Sequence, residues 1–326
     1  FNRWLQARHA DRKGLARAWT DAQKRCALQD EEDPASGSVA FPFNGLRQLG
    51  GRADERSFDP DFAELRIRDA LCFLAELQSH YYTVMRSHLT GIGVRVPIAG
   101  TNQMFVGVDT HIEATHNDFM SRNQYWRHPH RTAKPFWKFS NEPMLGVDIP
   151  TQLTPLAVIA RSSVAGKPQA VAEYNFPWPN EYRAEGLLMS VGYACLQDWD
   201  LFLLFSYDPG DPILSMFRSQ TDPTRWGEVP AAAAMFLRHD VAAARNEVHV
   251  VQTREDRYLP RPTTSDAKYP LQRFLTFTSK VRSAFVEDAY RGNADVALCC
   301  GPSVDVAVES PAQAIRIARR PWEEWV

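Results

Sequence analysis

Between residues 94 and 208 the chain repeats one pattern: a short apolar run, a polar or aromatic cluster at its end, then a helical stretch. VPIAGTNQ, HNDFMSRNQYWRHPH, KPQAVAEYNFPWPNEYRAE and DWDLFLLFSYDP each supply such a run. Strands alternating with helices argue for a parallel sheet covered by helices. The strand candidates are 94–99, the run leading into Tyr125, 170–172 with Glu173 at its end, and 201–205, which delivers Ser206, Tyr207 and Asp208. The expected fold class is α/β: the C-terminal half of a (β/α)8 TIM barrel, followed by a small β-rich domain. Such a barrel builds its active site from the loops after its strands, so a carboxylate ending a strand is placed for chemistry. Glu173 is that carboxylate, and Tyr174, Phe176 and Trp178 crowd the loop after it, where solvent-facing loops are usually polar.

Helical periodicity fills the intervals. Residues 1–28 read as two short helices, the second with Leu15 and Trp19 four residues apart. A helix over 62–89 carries Leu74, Leu77, Tyr81, Val84 and Met85 on one face, with Gly91 where a glycine ends a helix. Thr154 is a plausible N-cap with Pro155 at the first helical position, and Gly166 closes that element. Helices over 180–197 and through VPAAAAMFLRHDV follow. The polar, Gly- and Pro-bearing stretch 29–60 reads as an insertion. After residue 240, NEVHVVQT, FLTFTSKV, DVALCC and VDVAVES alternate or are β-branched between turns. The expected organisation is a partial catalytic barrel over 1–240 and a β-rich accessory domain, itself incomplete, over 241–326. FNRWLQARH opens inside a helical pattern without an initiator Met or signal peptide, so the chain reads as a piece of a longer protein.

Composition narrows the function classes. A net charge of −2 gives no bulk field for nucleic acid or anionic membrane. The longest apolar runs fall far short of a membrane span. The five cysteines are odd in number and show no CxxC spacing, which argues against a disulfide framework or zinc site. There is no glycine-rich phosphate cradle and no GxSxG elbow. Nine Trp, ten Tyr and eighteen Phe exceed what loops ordinarily carry, and a share of them there suits sugar binding, since a sugar's C–H face packs on an apolar ring.

Other constellations read more plainly. Asn141-Glu142-Pro143 looks like the acid/base signature of barrel glycosidases, but it stands only one helix ahead of Glu173 and reads as a loop. His111, His116, His128 and His130 match no zinc-helix spacing. Glu181 and Glu185 suit the positive end of a helix dipole, with Glu185 able to brace the loop. Thr101, Asn102 and Gln103, and Tyr207, are strand-end groups of the kind that recognise sugar hydroxyls, with loop capping an equal reading for Asn102.

Taken together, these stretches resemble clan A glycoside hydrolases, the retaining (β/α)8 enzymes, and among them the family 42 β-galactosidase type. FNRWLQARHADRKGLARAW is similar to the helix after the fourth strand, VPIAGTNQ to the fifth strand and NDFMSRNQYWRHP to the sixth. KPQAVAEYNFPWPNEYRAE is similar to the seventh strand and QDWDLFLLFSY to the eighth. The resemblance covers about 1–240. It implies an O-glycosyl hydrolase in which Glu173 is the nucleophile, and Tyr125, Trp126, Trp178 and Tyr207 line the sugar pocket, with Asn102, Gln103, Asn123 and Asn175 as further substrate contacts. Asn123 stands where relatives often carry His. The acid/base Glu is expected upstream of Phe1. The implied substrate is a glycoside, oligosaccharide or polysaccharide, with no metal or organic cofactor. The competing expectation is a carbohydrate-binding protein on a degenerate barrel.

Overall fold

A computed structural model describes residues 1–42, 64–102, 107–131, 137–144, 155–208, 214–258, 276, 278–287, 290–299, 307–309 and 314–316. The chain divides into two compact units. One is Phe1–Val96, Phe105–His116 and Arg254–Ser265; the other is Pro97–Met104, Asn117–Thr253 and Asp266–Val326.

The first unit is helical. Helices α1 (Asn2–His9) and α2 (Arg12–Ala18) meet at a tight corner where Asp11 caps α2, its Oδ1 accepting from the Gly14 amide at 2.7 Å. Gly14 is required there, because a Cβ would lie 2.1 Å from the His9 carbonyl oxygen. Leu5, Leu15, Trp19, Leu28 and Val39 form the small core. The 28-residue helix α3 (Glu64–Gly91) contributes Arg66, which is fully buried under Trp19. Its guanidinium donates to both Glu32 oxygens at 2.7 Å and to the Ala27 and Ala40 carbonyls, fastening the loop 29–42. The rest of the expected insertion lies outside the described residues. Leu77, Tyr81, Val84 and Met85, the apolar face of α3, are exposed; Ile67, Ala70, Leu71, Ala75 and Tyr82 are buried instead. Helix α4 (Gly107–His116) packs on α3 through Val108 and Ile112.

The second unit is mixed α/β with parallel strands. Strands β1 (Met120–Tyr125), β4 (Gln169–Asn175) and β5 (Leu201–Leu204) form a three-stranded parallel sheet, ordered β1-β4-β5. A two-residue hairpin, β2 (His130–Arg131) with β3 (Trp137–Lys138), follows β1. Helices α5 (Pro155–Ser162), α6 (Gly186–Leu196, after a one-turn 3-10 segment Arg183–Glu185) and α7 (Pro223–Arg238) cover one face. Pro155 does open α5; Thr154 lies outside the described residues. The residues expected as a strand at 94–99 form no ladder. Chain 98–102 instead runs beside β1 in the same direction, through two amide bonds of 2.8 Å, Asp118 to Ile98 O and Asn123 to Asn102 O. Pro97 brings no N–H to that edge, which limits pairing.

Beyond α7, β6 (Glu247–Gln252) pairs in parallel with both β7 (Lys280–Phe285) and β8 (Val296–Cys299). The antiparallel strands β9 (Ala307–Glu309) and β10 (Ala314–Arg316) extend this sheet to the order β10-β9-β8-β6-β7. Val248, Val250 and Val281 share one core with Val171, Tyr174, Ile159 and Trp199. Ser283 exchanges backbone hydrogen bonds with Ser163 and Ala165. Residue 240 therefore falls inside this unit. No described helix is long and apolar enough to cross a membrane.

Candidate active site

Strand alternation alone would put Val171 and Glu173 on one face. It does not, because β4 carries one extra residue relative to both neighbours. Arg122 and Asn123 of β1 pair with Val171 and Glu173, and Phe202 and Leu204 of β5 pair with Val171 and Tyr174. A β-bulge of this kind re-aims the side chains beyond it. Val171 and Tyr174 both enter the core under the helices, so Glu173 turns to the opposite face. Tyr125 lies on that face, and its phenol donates a hydrogen bond to Glu173 Oε2.

The same face is lined with aromatic rings. Tyr125 packs edge-on against Phe205 (6.2 Å between centroids), Phe217 (5.4 Å) and His128 (4.9 Å). His128 and Phe217 also meet, as do Phe205 and Phe217. Burial is the main reason the Tyr125 phenol is held well above its ordinary titration range, with the hydrogen bond to Glu173 and its charge adding to the effect. Tyr125 is therefore a neutral donor at any physiological pH. Glu173 Oε1 has no hydrogen-bond partner among the described residues.

Asn123 stands directly across the ladder from Glu173 and two residues before Tyr125, so it shares their face. Its Oδ1 is buried with no hydrogen-bond partner among the described residues. Asn102 is held beside it through its carbonyl, which accepts from the Asn123 amide. Gln103 lies outside the described residues. Trp178 follows the strand in a partly buried position, its amide bonded to Met216 O at 3.0 Å. Tyr207 is 65% exposed and stacks on Trp226 rather than joining the ring cluster at Glu173.

Two expected sugar contacts are corrected. Trp126 is buried in the core, its indole donating to Glu142 O at 3.0 Å, because the next residue along a strand points to the other face. Asn175 is fully buried and its amide is occupied. Nδ2 donates to the carbonyls of Phe205 and Phe217, and Oδ1 accepts from Arg225. Neither side chain faces a ligand.

The remaining polar groups hold the loops. Glu142 is exposed and pairs with Arg127 and Ser140, as a loop residue does. Glu185 Oε2 accepts from the Met144 amide at 2.7 Å, bracing the chain as its position suggests. Asp222 is buried between Arg183 (2.6 Å) and Arg225 (3.1 Å) and also caps α7. Its burial would raise its pKa, yet the two guanidiniums hold it below the usual carboxylate range. Among the described residues no group of His, Cys, Asp and Glu could hold a metal ion.

Phe217 and Arg225 went unnoticed in the sequence, His128 was weighed only against a zinc pattern, and Phe205 was read only as the end of a strand. Phe205 was legible as the last alternate residue of its strand. Phe217 and Arg225 lie beyond it in chain with no periodic signal. Comparison with protein-family models, with curated proteins and with solved structures finds no match to this chain.

A carboxylate with one oxygen held by a neutral phenol and the other unencumbered, in a setting of ring faces, can act as a nucleophile or accept hydroxyl hydrogen bonds.

Proposed function

We propose that this chain is part of a retaining glycoside hydrolase on a (β/α)8 barrel, similar to clan A, and that Glu173 is its nucleophile. The observation that carries this reading is the bulge in β4, which takes Glu173 out of the helix-packed layer and sets it against Tyr125 and its ring cluster. In the reaction Glu173 Oε1 attacks the anomeric carbon while a second carboxyl protonates the departing glycosidic oxygen. Water, deprotonated by that same group, then displaces Glu173 and restores it. The second carboxyl must sit roughly 5–5.5 Å from the first, and the resemblance puts it ahead of the helix that begins at Phe1. The orphan oxygen of Asn123 would accept from a hydroxyl of the sugar held over Glu173.

Barrel closure is favoured by β5. Leu201 and Leu203 lie on the face of Glu173, as Phe205 does, and are 42% and 46% exposed. Parallel strands are ordinarily buried on both sides, and a closed ring would cover these leucines.

The test is to express the complete open reading frame and assay it on a panel of aryl β-glycosides beside Glu173→Gln. Hydrolysis with retained configuration that falls roughly a thousandfold or more in the variant is the expected result. Undiminished hydrolysis would end the assignment. Saturable sugar binding without any turnover would favour the carbohydrate-binding alternative.

A further inference from the structure

The amide of Asn175 is spent within the protein, where it ties together two of the segments that surround Glu173. It lies two residues beyond Glu173 on β4, and its amide bonds the backbones of two separate segments through the carbonyls of Phe205 and Phe217. Those residues carry the rings that enclose Tyr125. Their segments are also paired with each other, Ser206 N to Phe217 O at 2.8 Å and Ser219 N to Ser206 O at 3.0 Å. Behind Asn175 stands Arg225, buried and with its donors spread over four acceptors. Nη1 reaches Asn175 Oδ1 and Met216 O, Nη2 reaches Arg218 O at 2.8 Å, and Nε reaches Asp222 at 3.1 Å. Asp222 is in turn held by Arg183.

We infer that Asn175 and Arg225 are positioning residues: they lock the Phe205 and Phe217 segments so that the two rings keep Tyr125 packed and its phenol aimed at Glu173. The inference takes its functional meaning from the nucleophile reading. Its physical content stands apart, because the state of Tyr125 is measurable without turnover. A side-chain amide suits this place. It offers two donors to two carbonyls and one acceptor to a guanidinium, a set that neither Asp nor Ser supplies. The dense charge-assisted bonding around Arg225 makes the arrangement stiff, since a buried guanidinium that loses an acceptor is left costly.

The experiment is an alkaline titration of the chain labelled with 13C at the tyrosine ring carbon bearing the hydroxyl, followed by NMR, with Tyr125 identified by Tyr125→Phe. Asn175→Ser adds no charge and loses the set of two donors and one acceptor. Arg225→Lys keeps a cation beside Asp222 and loses the fork. Ile159→Val thins the same unit's core without touching the network, and serves as the control. The Tyr125 phenol, held too high to titrate while the wild type stays folded, is expected to begin titrating within the folded range in Asn175→Ser, and less fully in Arg225→Lys, as the ring gains solvent and the bond to Glu173 loosens. It should be unmoved in Ile159→Val. Should Asn175→Ser fail to fold, Arg225→Lys carries the same expectation. An unmoved phenol in either folded variant overturns the inference, and so does an equal shift in Ile159→Val. Failure of the hydrolysis assay would leave this titration result standing, and the converse also holds.

Discussion

Two parallel strands of the second unit meet opposite surroundings. β6 lies between β7 and β8, and its side chains from Val248 to Gln252 are all buried. β5 is the outer strand of its sheet and is covered on one side only. Phe202 and Leu204 pack with α6 and α7, whereas Leu201 and Leu203 are exposed. β5 is apolar at every position, the composition of a strand buried on two faces, whereas β6 is buried with His249 and Gln252 among its residues. The difference shows that the sequence of β5 anticipates more cover than the described residues supply, and the uncovered side is the one that carries Glu173.

Substitutions can break or sharpen this contrast. The largest effect is expected just past β5, where the chain is pinned despite its open face. Asp222→Asn strips the charge that balances Arg183 and Arg225, and should lower stability by about 3 kcal/mol in urea unfolding. The wild type should show an acid limb that the variant lacks. The Asp222 pKa is depressed in the folded state, so its contribution is complete above the unfolded value of about 3.9 and is lost as pH falls below it. Next is Val281→Ala on β7, fully buried in the core that β6 shares, which should lower stability by roughly 2 kcal/mol. A loss as small as that of an exposed residue would mean that β6 and β7 are not packed as described.

Smaller is Glu228→Gln, on the helix that covers the inner side of β5. Burial, helped by Asp222, pushes this carboxyl up to about 7, and its Oε2 is buried with no hydrogen-bond partner among the described residues. A raised folded pKa means stability that is full below the unfolded value and lost as pH rises toward 7. The glutamine should therefore gain about 1 kcal/mol at pH 8, discounted for partial exposure, and nothing at pH 4. Thermal melts at the two pH values read this directly. Least of all is Leu203→Lys on the open side of β5, expected within about 0.5 kcal/mol of the wild type in this chain. A loss near that of Val281→Ala would show that the open side is covered after all.

Much of the second unit was legible because apolar runs of strand length stand between strong breakers. The strand ending at Glu173 and the one at 201–205 lie within a few residues of expectation, while α6 starts later and α7 earlier than expected. Strand 94–99 was misread, since β-branched residues suggest a ladder but Pro97 and the exposed Val96 do not support one. The α3 stripe was legible as periodic, yet periodicity does not say which neighbour exists to bury it. Glu173 and Tyr125 stand at strand ends, which announce themselves in sequence, and their side chains do meet. Asn175 and Trp126 were misassigned because residue type does not reveal orientation. An amide next to a catalytic candidate looks the same in sequence whether it faces a ligand or a guanidinium. The bulge was invisible, for an added residue in a strand leaves no compositional trace.

That added residue sets what the active strand tolerates. It is absorbed as a bulge, so Val171 and Tyr174 share one face although two residues separate them. Ala172 should accept exchange for another small side chain with little consequence. Excising it would restore strict alternation with Val171 and Tyr174 still inward and Glu173 still outward, so the carboxylate should keep its face. β4 is thus permissive in spelling and, at this one place, in length as well.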